Sequence, residues 1–337
     1  MDVLTLGELL DLGDLPDRLG RVESRLAEVL QSDVGAISDP SLRVTQAGGK
    51  RLRPILALAA AASFDRFDDR VVAGATAVEL VHVGSLVHDD VFDRALRRRG
   101  VPTVNAVEGE SRAVMVGDYL LARAGEEAAR VSAEVAATLA WTITQLCLGQ
   151  HLETVDVGDL DRSVERYTRS IRGKTASLLA ASCRIGVQSA DGDEAASEAM
   201  ARYGDAFGMA FQILDDVLDL TSTEEAMGKP VGNDLRSGVY TLPVLVALDG
   251  PDGEELRALL DDVALGDRNG SVEPRLGRAV ELVRASEGVD AALAEVDRHC
   301  AVAVGALDAL GDGPVATGLR DLPERYRQWV LATVANR

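Results

Sequence analysis

Apolar residues recur at helical spacing along most of the chain, and this pattern predicts a series of helices. Leu19, Val22 and Leu26 lie three to four residues apart and predict a first amphipathic helix after Pro16. We find no convincing strand-like alternation. Aromatic content is only 4% while alanine, leucine and valine are abundant, which favours helix packing over sheets. The predicted fold class is all-α.

Prolines and glycines predict where the helices break. Asp39-Pro40 predicts a first break and Gly48-Gly49 a second. The segment from Val71 to Asp93 is apolar nearly all round, which predicts a buried central helix that ends in acidic residues. The other predicted elements are a helix from Pro54 to about Ser63, helices over 110–131, 133–155, 162–188 and 195–220, a loop over 221–238, and smaller helices over 240–336.

Composition and charge narrow the class of protein. A chain of 337 residues with 47% hydrophobic content can bury a large core, and we expect a single domain over residues 1–337. Its net charge of −20 disfavours nucleic acid as a partner. The N-terminal residues are acidic where a signal peptide would carry basic residues. No apolar run approaches the length of a membrane span. The three cysteines are far apart, as in a protein of the reduced cytoplasm. We expect a cytoplasmic protein without a transmembrane segment, although peripheral membrane contact is compatible with the sequence.

The same acidic pattern occurs twice, each time after a long apolar run. HDDVFD contains Asp89, Asp90 and Asp93, and LDDVLD contains the matching set, which is Asp215, Asp216 and Asp219. Residues four apart share a helix face, so Asp89 and Asp93 point the same way, as do the first and last acids of the second set. Each cluster is predicted to present two carboxylates to one point.

Two like charges on one face near a helix C-terminus are unfavourable unless a cation neutralises them. Carboxylates are hard ligands that suit Mg²⁺, which completes its octahedron with water and phosphate oxygens. A single DDxxD is as compatible with a solvated helix end, but two matched copies favour a metal site. A calcium loop of the EF-hand type fits poorly, because its ligands alternate through a glycine-containing loop.

Basic residues are concentrated in two short runs of this acidic chain. Lys50, Arg51 and Arg53 lie in AGGKRLRP, and ALRRRG contributes Arg97, Arg98 and Arg99. Arginine and lysine bind phosphate oxygens, and glycine allows close backbone approach. Either run alone is better explained as a solvated loop. Their proximity to the first acidic cluster instead favours a diphosphate-binding site.

Four further residues could contribute to such a site. Lys174 and Thr175 place a cation and a hydroxyl in a helical stretch, and Lys229 follows the second cluster. His82 lies two helical turns before Asp89 and shares its face, although a satisfied core histidine is the more common explanation of such a residue.

Taken together, GGKRLRP, HDDVFDRALRRRG, GKT, FQILDDVLD and GKPVGNDLRSGVYTLP resemble the polyprenyl (trans-isoprenyl) diphosphate synthases, in order and over most of the chain. The resemblance implies an all-α, isoprenoid synthase-type bundle of antiparallel helices around a deep central cavity, usually as a homodimer. It also implies the condensation of isopentenyl diphosphate with an allylic diphosphate to a longer all-trans product. In that reaction Mg²⁺ and cations promote ionisation of the allylic diphosphate, and the isopentenyl double bond attacks the carbocation.

The resemblance also implies roles for individual residues. The implied Mg²⁺ ligands are Asp89, Asp93 and Asp215, with support from Asp90, Asp216, Asp219 and Asp234. The cations implied for the allylic diphosphate are Arg98, Lys174 and Lys229. The residues implied for isopentenyl diphosphate are Lys50, Arg53, His82 and Arg99. Thr175 and Gln212 match polar residues that stabilise the carbocation.

The growing product needs an apolar channel, which should pass the residues one and two turns before Asp89, namely Ser85, Gly84 and Val81. Bulky aromatics close this channel in short-chain members of the family. The small side chains here predict a geranylgeranyl or longer product. Val239, where many members carry lysine, departs from the family pattern and predicts a weaker allylic-diphosphate site.

Three alternatives stay open at the level of the sequence. A terpene cyclase shares the fold but ordinarily lacks the second DDxxD and the basic isopentenyl site. A non-catalytic partner subunit of a synthase is disfavoured by the two intact clusters. An acidic helical scaffold without chemistry would tolerate loss of Asp89 or Asp215.

Overall fold

The computed structural model describes residues 3–222, 231–264, 272–310 and 312–335, and helices dominate these ranges. The first helices are α1 Val3–Leu9, α2 Leu15–Val29, α3 Gly35–Gln46, α4 Leu52–Ala62, α5 Asp69–Phe92, α6 Val104–Glu108, α7 Glu110–Val131 and α8 Ala133–Val155. Between α5 and α6, the two-residue strands β1 (Arg97–Arg98) and β2 (Val101–Pro102) pair antiparallel. The sequence pattern did not predict this small hairpin.

The chain continues with further helices and two tighter or wider turns. These are α9 Val164–Ile171, a π-helical turn Arg172–Ala176, α10 Ser177–Ser189, α11 Glu194–Thr221, α12 Asn233–Arg236, α13 Leu242–Leu248, α14 Gly253–Ala264, α15 Val272–Ala285, α16 Gly288–Ala306, a 3₁₀ turn Leu307–Leu310 and α17 Pro314–Ala335. The predicted helix over 162–188 is therefore interrupted by a π turn. The predicted loop over 221–238 contains the short helix α12 within its described part.

The chain divides into two compact units. The first consists of Met1–Leu146, Leu178–Gly204 and Ala306–Leu322, and the second of Cys147–Ser177, Asp205–Gly305 and Pro323–Arg337. The expectation of a single domain over residues 1–337 stays a prediction. The first unit carries the first acidic cluster and the basic runs, and the second unit carries the second acidic cluster with Lys174 and Thr175.

Helix α5 lies in the core of the first unit, as its sequence predicts. It packs against α2, α3, α4, α6 and α7, and residues on all of its sides are buried. A helix that is apolar all round requires such neighbours. Its start is fixed by Asp68, whose carboxylate accepts hydrogen bonds from the backbone N–H groups of Arg70 and Val71 at 3.0 and 3.2 Å. The helix delivers Asp89, Asp90 and Asp93 at its C-terminal end.

The predicted break at Asp39-Pro40 is wrong, because Pro40 lies inside α3. Proline cannot donate a hydrogen bond to the carbonyl of Ala36, four residues earlier. The guanidinium of Arg112 on α7 donates to that carbonyl at 3.2 Å and replaces the missing bond. The second predicted break is confirmed, since α3 ends before Gly48 and Gly49, whose φ angles are +87° and +140°.

In the described part of the chain, α5 alone has the length and mean hydropathy of a membrane-spanning helix. The expectation that no apolar run approaches the length of a membrane span is therefore wrong for α5. Of its most apolar 18-residue window, 78% is buried inside the protein, which is the behaviour of a core helix.

Candidate active site

The first acidic cluster occupies the last turn of α5 and presents its three carboxylates differently. Asp89 is half-buried, Asp93 is exposed and caps the helix, and Asp90 is buried. The backbone N–H of Asp93 donates to the carbonyl of Asp89 at 2.8 Å, so helical spacing persists through the motif. Asp89 and Asp93 therefore lie on one helical face, as predicted, and Asp90 turns into the protein.

Asp90 holds the β1–β2 hairpin against α5. Nε of Arg98 donates to Oδ1 of Asp90 at 2.5 Å, and the side-chain amide of Asn105 donates to the backbone carbonyl of Asp90 at 3.2 Å. Burial raises the pKa of Asp90, and the hydrogen bond from Arg98 opposes this shift. Arg98, predicted to bind the allylic diphosphate, is thus ion-paired with the acidic motif itself.

The glycine pair and Arg99 are in direct contact. Nη1 of Arg99 donates to the carbonyl of Gly48, and a Cβ atom at Gly49 would lie 2.7 Å from Cζ of Arg99. Nη2 of Arg99 lies 3.3 Å from Nε2 of His82. Burial, followed by the charges of Arg53 and Arg99, lowers the pKa of His82 well below its usual range. Neutral His82 and the two arginines form the basic group that the sequence predicts for isopentenyl diphosphate.

Arg53 lacks a complete set of partners. Its Nε atom is buried without a hydrogen bond among the residues that the structure describes. Burial lowers the pKa of Arg53 to about 10, an effect that Glu79 opposes and Arg99 reinforces. An anion at this position would satisfy the buried donor and relieve the repulsion between the arginines.

Arg51 differs from its basic neighbours. It donates to Glu79 at 2.7 Å and to Glu23 at 2.5 Å, and it is 8% exposed. The expectation that all of Lys50, Arg51 and Arg53 would recognise diphosphate is therefore not supported for Arg51, whose charge is neutralised in the core. Lys50, the residue before it, is exposed.

A small open pocket adjoins this basic group. It opens between α3, α5 and the hairpin, and apolar residues such as Val83 and Val87 dominate its lining. Asp90, Arg98 and Arg99 supply its charged groups. The first unit thus combines space, apolar surface and cations beside the first acidic cluster.

The second acidic cluster has the same spacing but different exposure. Asp215 is exposed, whereas Asp216 and Asp219 are 4% and 2% exposed. Oδ2 of Asp219 accepts a hydrogen bond from the backbone N–H of Asp234 at 3.0 Å, and its carbonyl accepts from Gly232 at 2.9 Å. Asp219 therefore anchors the start of α12. Asp215 and Asp219 lie four residues apart in α11, and the prediction that the second cluster presents two carboxylates to one point stays a prediction.

Asp216 lies in a buried hydrogen-bond network. The Tyr167 hydroxyl donates to Oδ2 of Asp216 at 2.6 Å, and the Gln212 amide donates to Oδ1 at 2.9 Å. The hydroxyl of Thr175 donates to the amide oxygen of Gln212 at 2.8 Å. Burial and the nearby Asp234 raise the pKa of Asp216 well above its usual range, against the opposing hydrogen bonds of Tyr167 and Gln212. The two residues predicted to stabilise the carbocation are thus joined to the acidic motif.

Lys174 and Thr175 lie on the π-helical turn that interrupts the predicted helix. Such turns often occur at functional sites. A Cβ atom at Gly149 on α8 would collide with the backbone nitrogen of Lys174, and the Ser170 hydroxyl donates to the carbonyl of Gly149 at 3.1 Å. Nζ of Lys174 donates to Glu153, also on α8, at 2.5 Å. Helix α8 therefore holds the turn from one side.

The three residues predicted to limit product length lie in the middle of α5. Val81 is fully buried, and Ser85 is half-buried with its hydroxyl bonded to the His82 carbonyl at 2.9 Å. A Cβ atom at Gly84 would lie 3.3 Å from the carbonyl oxygen of Gly117 on α7. Gly84 is thus a close-packing position between two helices. A role of these residues in product length stays a prediction.

The solvent-accessible carboxylates suit a divalent cation that also binds substrate. Among the described residues, no three acidic, histidine or cysteine side chains lie close enough together to hold an ion by themselves. Asp89 and Asp93 offer hard oxygen donors on one face, and Asp215 offers another in the second unit. Mg²⁺ commonly binds one or two carboxylates and takes its other ligands from water and phosphate. The pair of Asp89 and Asp93 fits such an ion within the first unit.

Sequence reasoning missed the partners that hold the predicted residues. Tyr167, Glu79, Glu153 and Gly149 were not recognised, although Tyr167 lies two helical turns before Lys174 and Glu79 one turn before His82. Helical spacing could have suggested both. Lys229, predicted to bind the allylic diphosphate, lies outside the described residues.

Comparison with known proteins matches most of the chain to one family. The polyprenyl synthetase family model matches residues 35–273. The chain is 39% identical to heptaprenyl diphosphate synthase component 2 of Geobacillus stearothermophilus, over 91% of this chain and 94% of the relative. A decaprenyl diphosphate synthase from Rhodobacter capsulatus superposes with a TM-score of 0.86 at 32% identity, covering 98% of both chains. A polyprenyl synthase from Caulobacter crescentus, complexed with calcium and isoprenyl diphosphate, gives a TM-score of 0.85 at 33% identity, covering 95% of this chain and 96% of that chain.

The helical fold, the paired acidic clusters and the basic group define an all-α prenyltransferase that acts on isoprenyl diphosphates. The predicted fold class and the resemblance stated from the sequence are confirmed. The chain belongs to the polyprenyl synthetase family.

Proposed function

We propose that this chain is a Mg²⁺-dependent trans-polyprenyl diphosphate synthase that joins isopentenyl diphosphate to an allylic diphosphate. The observation that carries the proposal is the basic group of His82, Arg53 and Arg99 beside half-buried Asp89 and exposed Asp93. Among the described residues, the buried Nε of Arg53 has no hydrogen-bond partner. A terpene cyclase would not need this second anion site.

The residues have separate tasks in the proposed reaction. His82, Arg53 and Arg99 hold the diphosphate of isopentenyl diphosphate, and Lys174 binds the allylic diphosphate. Bound Mg²⁺ would neutralise the departing diphosphate. The allylic C–O bond breaks, the isopentenyl double bond forms the new C–C bond, and the released diphosphate takes a proton from the adjacent carbon. Thr175 and Gln212 direct oxygen atoms toward the positive charge that develops.

We also propose a product of geranylgeranyl length or longer. Two similar proteins are named as heptaprenyl and decaprenyl synthases. Val81, Gly84 and Ser85 introduce no aromatic side chain before the first acidic cluster. A bulky side chain at Gly84 would instead meet α7.

The proposed assembly is a cytoplasmic homodimer. Met115, Trp141 and Leu148 on α7 and α8 are large apolar residues that are 48%, 59% and 53% exposed, and an interface would cover them. The name of the Geobacillus relative includes "component 2", which favours a second candidate, a catalytic subunit with a different partner chain.

The test is an incubation of purified protein with labelled isopentenyl diphosphate and geranyl, farnesyl or geranylgeranyl diphosphate, with Mg²⁺ or with a chelator. We expect Mg²⁺-dependent elongation, and the longest product measures the chain length. Release of a hydrocarbon would replace this proposal with the cyclase. Absence of any reaction would favour a subunit that needs a second component.

A further inference from the structure

Tyr167 lies inside the second unit and contacts charged groups on two sides. It is 1% exposed, its hydroxyl donates to Asp216 at 2.6 Å, and the guanidinium of Arg162 lies 5.4 Å from the centre of its ring. Nε of Arg162 is 3.0 Å from a carboxylate oxygen of Asp156. The position of the Tyr167 ring is therefore fixed by packing and by a buried ion pair.

The hydrogen bonds of this network converge on Asp216, from Tyr167 on one side and from Thr175 through Gln212 on the other. Because Tyr167 and Gln212 each donate to one oxygen of Asp216, the Gln212 amide must turn its oxygen away from that carboxylate. The amide oxygen accepts the hydrogen of Thr175. With its hydrogen committed, the Thr175 oxygen keeps its lone pairs for another group. A hydroxyl in this orientation presents negative rather than positive potential to its surroundings.

We propose that Tyr167 is a positioning residue that acts through Asp216 and Gln212 to orient the Thr175 hydroxyl toward the developing carbocation. The inference rests on the proposed function and extends it to a residue that touches no substrate. Asp216 then serves as the centre of this network, because each of its oxygens accepts a hydrogen bond within the protein.

The first experiment compares Tyr167→Phe with Tyr203→Phe. Tyr203 is also fully buried, and its hydroxyl donates to the backbone carbonyl of Leu319 at 2.8 Å in the first unit, so its variant loses a similar hydroxyl elsewhere. We expect Tyr167→Phe to lower kcat by about 10- to 100-fold without changing the KM of isopentenyl diphosphate. Tyr203→Phe should lower Tm and leave kcat unchanged.

A double-mutant comparison identifies the route of the effect. If Tyr167 acts through Thr175, the Tyr167→Phe substitution should cost much less in a Thr175→Val background than in the wild-type enzyme. Equal losses in both backgrounds would overturn the proposal. The proposal would also be overturned if the loss of kcat in Tyr167→Phe equals the decrease in the folded fraction of that variant.

A second variant keeps the test decisive if Tyr167→Phe does not fold. Gln212→Glu removes the amide donor to Asp216 but retains an oxygen for Thr175, and it should lower kcat in the same way. Unchanged kcat in that variant would exclude the proposed network. Elongation by the wild-type enzyme is measured alongside, so failure of the proposed function is seen separately from failure of this inference.

Discussion

Lys50 and Arg51 are adjacent in the chain, but their side chains have different surroundings. Lys50 is exposed, whereas Arg51 is buried against Glu79 and Glu23. From the charge pattern of the sequence alone, both residues were predicted to bind diphosphate. The identity of a basic residue predicts that it can bind phosphate, but burial depends on contacts with distant segments such as α5.

Substitution of these neighbours should separate binding from stability. Arg51→Ala leaves Glu79 buried without its partner, and we expect the free energy of unfolding to fall by about 3–5 kcal/mol. Lys50→Ala should change it by less than about 0.5 kcal/mol and raise the KM of isopentenyl diphosphate. Urea denaturation and steady-state kinetics measure the two effects. Equal stabilities of the two variants would contradict the assignment of Arg51 to the core.

His299 on α16 should make stability depend on pH. Burial, with the charge of Arg298, lowers its pKa from 6.5 to about 4, although Glu295 opposes the shift. Below pH 6.5 the unfolded chain binds a proton that the folded chain does not, so stability falls as pH decreases from about 6.5 to about 4. The loss is at most about 3 kcal/mol.

The measurement is Tm against pH for the wild-type protein and for His299→Gln. Glutamine cannot take up the proton, so the variant should lose less stability than the wild type over this interval. Parallel pH profiles would show that His299 does not titrate differently in the folded and unfolded chains.

The helices themselves were largely predictable from the sequence. The predicted spans 110–131 and 133–155 coincide with α7 and α8, because their apolar periodicity is long and uninterrupted. Pro40 misled the prediction because its compensation by Arg112 comes from a helix far along the chain. The π turn was missed for a similar reason, since close packing of Gly149 against Lys174 is a tertiary contact.

A substitution at Gly149 tests whether the position of the π-helical turn Arg172–Ala176 depends on its contact with α8. Gly149→Ala places a methyl group against the backbone of Lys174, and the turn must shift. We expect kcat to fall at least about tenfold, because small displacements of reacting groups are costly. Gly125→Ala is the control, since Gly125 lies in α7 with open space around it.

The control should keep full activity, and its stability should change by at most about 1 kcal/mol, since alanine is the better helix former. Normal kcat in Gly149→Ala would mean that the turn tolerates the movement. A similar loss in both variants would indicate a general effect of the substitution.

At the scale of the whole molecule, the sequence predicted the candidate site residues well. It did not predict which of them are exposed and which are buried. The two acidic clusters are identical in spacing, yet Asp93 is exposed and Asp219 is buried beneath α12. The difference arises because the segment after α11 returns to Asp219, whereas the hairpin after α5 contacts Asp90 and leaves Asp93 exposed. A local pattern contains no information about such a return.

The proposed homodimer predicts that a charge at Trp141 disrupts assembly. Trp141→Glu should raise the dimer Kd about thirtyfold or more, which corresponds to roughly 2 kcal/mol for a central aromatic residue. Sedimentation at several concentrations measures the effect. Val302→Glu, on α16, is the control because Val302 is likewise exposed, at 47%. A wild-type protein that stays monomeric at all concentrations would rule out the homodimer.

The exposure of Trp141 also gives the protein an optical signal. The chain contains two tryptophans, and Trp141 is 59% exposed whereas the ring of Trp329 lies 5.8 Å from that of Tyr326. An indole in water emits at longer wavelength than one in apolar surroundings. In a Trp141→Phe variant the remaining emission comes from Trp329 alone. The difference between the two spectra is therefore the emission of Trp141, which reports the surroundings of α8. A shift of that emission to shorter wavelength would show, without any label, that a partner chain covers Trp141.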